Sequence, residues 1–189
     1  LYLSSSIADF IGLLYISASL ERAVLFTFPI YVFLLSSDLS HITFSKVVLI
    51  VSTVLGLAIM FNPTVDNYLT DTLIGISLVL LSAIFWALFI IYSKRAVSNI
   101  SSTIFTSTYM CITTVLLLLG FIIDSKNFTT FSTLQTHTMI YLVFLAIFCS
   151  IIPSYLMSFG LKRINASLAA VISAMGPIVT LGLDVVILN

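Results

Sequence analysis

Two carboxylic acids stand where a chain of this character tolerates them least. Asp9 and Asp184 each lie inside an apolar run, and an ionised group in hydrocarbon is costly enough to mark a functional candidate. Asp9 shares a helical face with Ser5 and Gly12, at spacings of four and three, so its polar face points into a bundle. Asp184 shares a stripe with Ser173, Pro177 and Thr180. A carboxyl group there could exchange a proton with a gradient; the competing account is that each acid lies close enough to the outer interface to find water. Asp9 is the better coupling candidate, because Ser5 and Gly12 leave room for water beside it. Trp86, Tyr109 and Tyr155 sit deep in apolar stretches, where they either contact an organic solute or simply pack. Pro29 and Pro177 fall mid-span and deprive the carbonyls of Leu25 and Ser173 of their helical partners. In lipid such a break is tolerated only where a neighbouring helix or a cavity resatisfies it. Pro153, with Ser154 and Ser158, gives another polar, kinked segment. Glu21 and Arg22, at the start of a helix, read as a solvated interfacial pair. Cys111 and Cys149 read as small buried side chains rather than as a disulfide or metal ligands, and nothing calls for a cofactor.

The elements that hold these residues follow from composition. With 60% hydrophobic and 7% charged residues in 189, and a mean hydropathy of +1.24, the apolar surface exceeds what a soluble core could cover. The expected class is an all-α, multi-pass membrane protein in the cell membrane, most simply a bacterial one. A formal net charge of +0 argues against nucleic acid. The partners expected are a small-molecule substrate, the lipid bilayer and, as an open option, a second copy of the chain.

Spans of about 20 apolar residues separated by polar clusters give about seven helices: Leu1 to Ile16, Leu20 to Ser36, Lys46 to Phe61, Thr72 to Ser93, Thr103 to Ile123, Thr138 to Gly160, and one from Ser167 onward. Asp71 is placed to cap the fourth. Because the chain starts without Met and ends inside an apolar run, it reads as a fragment of a longer protein. Basic residues near helix ends favour the cytoplasm. Putting Lys94 and Arg95 inside also puts Lys46, Lys162 and Arg163 inside, and leaves Arg22 and Lys126 outside. On that topology Asp9 and Asp184 both fall in the outer half of the bilayer.

The chain also repeats itself. Gly12-Leu13-x-x-Ile16-x-Ala18-Ser19-Leu20, then Pro29-Ile30, recurs as Gly160-Leu161-x-x-Ile164-x-Ala166-Ser167-Leu168, then Pro177-Ile178, every position shifted by 148. So many matches without insertion point to an internal duplication. The copies close the first and sixth helices, five crossings apart, and an odd number of crossings inverts the second. Inverted repeats recur in transporters, where two halves enclose a site near the midplane and alternate its access.

The run from Ile16 to Pro29, together with Ala83-Ile84-Phe85-Trp86-Ala87-Leu88 and Ser93-Lys94-Arg95, resembles the EamA-type members of the drug/metabolite transporter superfamily. That resemblance implies ten helices in two inverted five-helix repeats, with the visible spans matching family helices three to nine. Residues 1–62 would then be the C-terminal part of the first repeat, with three helices, and 72–189 a truncated second repeat with four. It also implies export or import of amino acids, drugs, nucleotide precursors or other metabolites. No enzyme is expected: His41 and His137 fall in loops on opposite sides, so neither serves a buried Ser, and no hydrolase motif occurs. A channel, a non-transporting scaffold, or an inactive truncated transporter are the alternatives to a carrier.

Overall fold

The structure is a computed structural model, and it describes residues 1–36, 69–123 and 136–174. All regular structure among these residues is helical. The expected third helix, Lys46 to Phe61, lies outside the described residues, as do His41, Lys126, Pro177 and Asp184. Two compact units are formed, one by Leu1–Tyr92 with Asn165–Asn189 and the other by Ser93–Ile164.

In the first unit, α1 (Tyr2–Gly12) turns its small residues Ser5, Ala8 and Gly12 inward. They meet the first half of α4 (Leu69–Asn99). Ser5 Oγ donates to the Ser82 carbonyl at 3.0 Å, and Ser82 Oγ returns a bond to the Ser5 carbonyl at 2.9 Å. At the other end Gly12 faces Gly75, so the two helices run antiparallel. A methyl group built on Gly12 would lie 2.6 Å from Val79 Cγ2, and one on Gly75 would lie 2.6 Å from Ile16 Cγ2 and 2.9 Å from Tyr15 Cβ. Small residues are used here because, between apolar helices, close backbone approach supplies the packing energy that water cannot.

After Gly12 the chain turns. The Gly12 carbonyl accepts from the amides of Tyr15 and Ile16, and Ser17 caps α2 (Ala18–Leu25), its hydroxyl accepting from the Leu20 amide at 3.4 Å. The span expected from Leu20 to Ser36, with Pro29 mid-way, is two helices. α2 stops at Leu25, and α3 (Phe28–Leu35) starts afresh with Pro29 in its first turn. The reason is the missing Pro29 N–H, which would have bonded the Leu25 carbonyl. Thr27 closes the gap by donating Oγ1 to the Val24 carbonyl at 2.7 Å. Ile16, Val24 and Val79 form the buried apolar cluster beside this turn, backed by Leu20, Leu25, Ile76 and Leu80.

Helix α4 runs through Lys94 and Arg95 to Asn99, six residues beyond the expected end at Ser93, and Asp71 lies inside its first turn rather than in front of it. In the second unit, α5 (Ser102–Ile123) matches its expected range to one residue and is about 33 Å long at 1.5 Å per residue, enough for a bilayer core. The expected sixth helix is three pieces: α6 (Thr136–Leu145), a π-helical turn (Ala146–Ile151) and α7 (Ile152–Arg163). α7 packs on α5. Back in the first unit, α8 (Ala166–Ala174) packs on α3.

Asp71–Asn99, Ser102–Ile122 and Thr136–Arg163 are long and apolar enough to cross a membrane. Their outward faces are apolar too: Leu116 to Leu119 and Ile140 to Phe148 include a run of exposed large side chains. Cys111 and Cys149 lie on such exposed faces as free thiols, which corrects the expectation that they are buried. Lipid rather than a protein core is the apolar surrounding that their sequence context reports.

Candidate functional site

The two copies of the repeat fold alike at their central break. Ile16 and Ser17 interrupt the chain before α2 begins at Ala18, and Ile164 and Asn165 interrupt it before α8 begins at Ala166. The helix starts therefore keep the same 148-residue shift as the sequence. Ser19 lies in α2 and Ser167 in α8. Ser167 Oγ meets Ser36 Oγ at 3.2 Å, which ties the second copy's helix to the end of α3 in the first. The packing around the motif glycines differs: Gly12 is wedged against α4, whereas a methyl group on Gly160 would touch nothing within 4 Å among the described residues.

Asp9 is half-buried on α1, and its Oδ1 is buried with no hydrogen-bond partner among the described residues. What it faces is Glu21, the side chain that sequence reasoning missed. Glu21 lies in the first turn of α2, and its carboxyl is close enough to interact electrostatically with that of Asp9. It is fully buried, which corrects the picture of a solvated Glu21–Arg22 pair. Only Arg22 is exposed: the pair measures 3.2 Å from Nε to Oε2, but the Arg22 side chain is 65% exposed against 1% for Glu21. Neither Glu21 oxygen accepts a bond of hydrogen-bond geometry among the described residues. Two ionised carboxylates hold no donor between them, so their approach becomes a hydrogen bond only when one carries a proton. A sequence signal existed: Glu21 lies in the helix that directly follows the Gly12–Ser17 turn after Asp9.

The aromatic candidates divide between the units. In the first, Trp86 is half-buried and joins Tyr2 and Phe89 in a cluster with ring centroids 5.4 to 6.0 Å apart, an edge-tilted packing typical of aromatic groups. In the second, Tyr109 lies 5.4 Å from Phe105. Tyr155 bonds Ser107 between its hydroxyl and Oγ at 2.6 Å. Beside it Thr106 Oγ1 donates to Ser158 Oγ at 2.6 Å, so Ser158 does cross-helix bonding. Pro153 itself, exposed in the first turn of α7, directly follows the π-helical turn. Without its N–H the ladder must shift, and the Ile152 amide reaches back to the Ile147 carbonyl. Lys94 Nζ donates to the Leu161 carbonyl at 2.8 Å and to the Lys162 carbonyl at 3.4 Å, which satisfies carbonyls at the C-terminal end of α7.

Residues 73–189 match the EamA-like transporter family. The chain belongs to that family. It is similar to a Bacillus subtilis (strain 168) protein described as the uncharacterized transporter YcbK, at 28% identity over 181 residues. The alignment takes in 94% of this chain and 58% of that protein, so the chain spans under two thirds of its curated relative's length. No solved structure matches it. Among the described residues no group of three or more His, Cys, Asp or Glu side chains is disposed to hold a metal ion.

Proposed function

We propose that the whole protein is a secondary carrier that moves a small organic metabolite or drug across the cell membrane by alternating access between inverted halves. The observation that carries this reading is the repeat: the matched break and helix starts at Ala18 and Ala166 support two copies of one helical unit, the architecture on which alternating access is built. Membership of a transporter family supports the transport step. Within the first unit Asp9 and Trp86 are the residues offered to coupling ion and solute, and within the second Tyr109 and Tyr155; Asp184 is offered on sequence alone. Pro29, Pro153 and Pro177 serve as helix breaks that line a cavity, and Gly12, Ser19, Gly160 and Ser167 as the repeated frame. The mechanism needs no cofactor.

The test is flux. The whole protein in liposomes should accumulate one member of a panel of labelled amino acids, nucleosides and cationic drugs against its gradient. It should do so at carrier rates, and without bilayer currents of channel size. Topology is tested separately: a reporter fused after Arg95 should read cytoplasmic and one near Lys126 external. Both reporters on one side would remove the inverted arrangement, and with it the mechanism.

A further inference from the structure

Three carboxylate oxygens in the first unit, Asp9 Oδ1 and both of Glu21, are buried and accept no hydrogen bond among the described residues. They come from two helices, α1 and α2, joined by the short turn at Gly12 to Ser17. The charged groups that act on Glu21 are Asp9 and Arg22. α3 and α8 carry no acidic or basic side chain, and Asp71 on α4 is exposed. Arg22 answers only part of the negative charge, because its side chain is largely exposed outside the packed unit while Glu21 is buried. With both carboxyls ionised the pair carries a surplus of about one negative charge, on buried oxygens that take no hydrogen bond among the described residues.

Buried acceptors of this kind are satisfied in native proteins by a partner, and a buried charge is retained only when paired. A bystander acidic cluster would point outward into water, as Asp71 does; Glu21 is turned fully inward.

We propose that Asp9 and Glu21 together form a binding site for one monovalent cation, the coupling ion of the carrier. The word coupling rests on the carrier reading above; the binding itself does not. Two sources share this chemistry. A proton would sit on one carboxyl and bond it to the other. A sodium ion would be held by the oxygens of both, which suits a hard cation with oxygen ligands. Either occupant removes the surplus charge, and releasing it to one side of the membrane restores it.

The experiment uses the purified whole protein in detergent and needs no transport substrate. Infrared difference spectra between acidic and alkaline buffer read the proton: a carboxylic-acid carbonyl band present at low pH should vanish as pH rises, and should be lost in Glu21→Gln and weakened or shifted in Asp9→Asn. Thermal unfolding in sodium chloride against choline chloride, at one ionic strength, reads sodium: the wild type should be stabilised by sodium alone, with its apparent affinity falling at least tenfold in either variant. Glu21→Asp, which keeps the charge, should retain part of whichever response is found. One of the two responses is expected. Neither, in a wild-type protein that is folded, overturns the site, and this outcome needs no variant to fold. A protein that binds the cation and carries no solute would instead sink the carrier reading and leave the site standing.

Discussion

The glycine contact between α1 and α4 makes a quantitative demand that the rest of the repeat does not. A methyl group on Gly75 would lie 2.9 Å from Tyr15 Cβ and 2.6 Å from Ile16 Cγ2. Tyr15 Cβ sits next to backbone, so the contact is relieved only by moving α4 or the turn after α1. Overpacking of this kind costs about 1–3 kcal/mol, offset by the ~1 kcal/mol that Ala gains over Gly inside a helix. Gly75→Ala should therefore destabilise by about 0–2 kcal/mol. Gly160→Ala meets nothing within 4 Å among the described residues and should stabilise by about 0.5–1 kcal/mol from the backbone term alone. The gap between the two variants, about 2 kcal/mol, is a factor of roughly 30 in the folded ratio. Titrating the whole protein from a mild detergent into a denaturing one, with helix content as the readout, resolves it. Gly12→Ala supplies a second arm, because its methyl group would lie 2.6 Å from Val79 Cγ2. Combined with Val79→Ala, which removes that atom, it should cost less than the sum of the single variants, with a coupling of about 0.5–3 kcal/mol. Equal losses in Gly75→Ala and Gly160→Ala, or strict additivity in the Gly12 and Val79 pair, would refute the packing argument.

Further expectations follow from the second unit. Replacing Lys94 by Met removes donors from the Leu161 and Lys162 carbonyls; with the side chain half-buried, a loss of about 1 kcal/mol is expected, and amides in the last turn of α7 should exchange faster. Unchanged exchange there would argue that the contact is incidental. For Thr106 and Ser158, joined at 2.6 Å, a cycle of Thr106→Val and Ser158→Ala should give a coupling near 0.6 kcal/mol and at most about 1.7 kcal/mol, the range of hydrogen bonds between membrane helices; zero coupling would mean the bond does not form in lipid. Cys111 and Cys149, free and outward-facing, should stay unmodified by a charged, impermeant maleimide in membranes, because lipid holds the unreactive thiol rather than the thiolate, and should react once the protein is denatured in detergent. Labelling in intact membranes would place them at an aqueous face.

How far the chain could be read from its letters varies with the kind of signal. Helix punctuation was legible where it is chemical. The start of α2 at its Ser17 cap and the interruption at Pro29 follow from residues that cap or forbid a helix, whereas α7 runs past Gly160, its expected end, to Arg163. The end of α4 was not legible either, because Lys94 and Arg95 look like a terminus, while the structure gives Lys94 acceptors on α7 that let the helix run on to Asn99. The π-helical turn before Pro153 has no letter of its own: the proline says that the ladder must shift, and packing decides how. Which apolar face meets lipid was also hidden, since lipid and protein core select the same side chains, and Cys111 and Cys149 were read on the wrong side for that reason.

Glu21 shows the limit most clearly. Neighbours in a helix point about 100° apart, so Glu21 and Arg22 cannot share one environment, whatever their charges suggest. Glu21 has two charged neighbours in the fold, the adjacent arginine and an aspartate twelve residues back. Proximity along the chain favours the first. The turn built on the Gly12 carbonyl, which bonds Tyr15 and Ile16, and the close seat of Gly12 against Gly75 and Val79 favour the second, with Glu21 buried. A glycine that was legible as a repeat mark is therefore also what brings the two carboxylates together. Gly160 has no such seat among the described residues, and the positions 148 residues beyond Asp9 and Glu21 hold Met157 and Ala169, so the acid pair is confined to the first stretch.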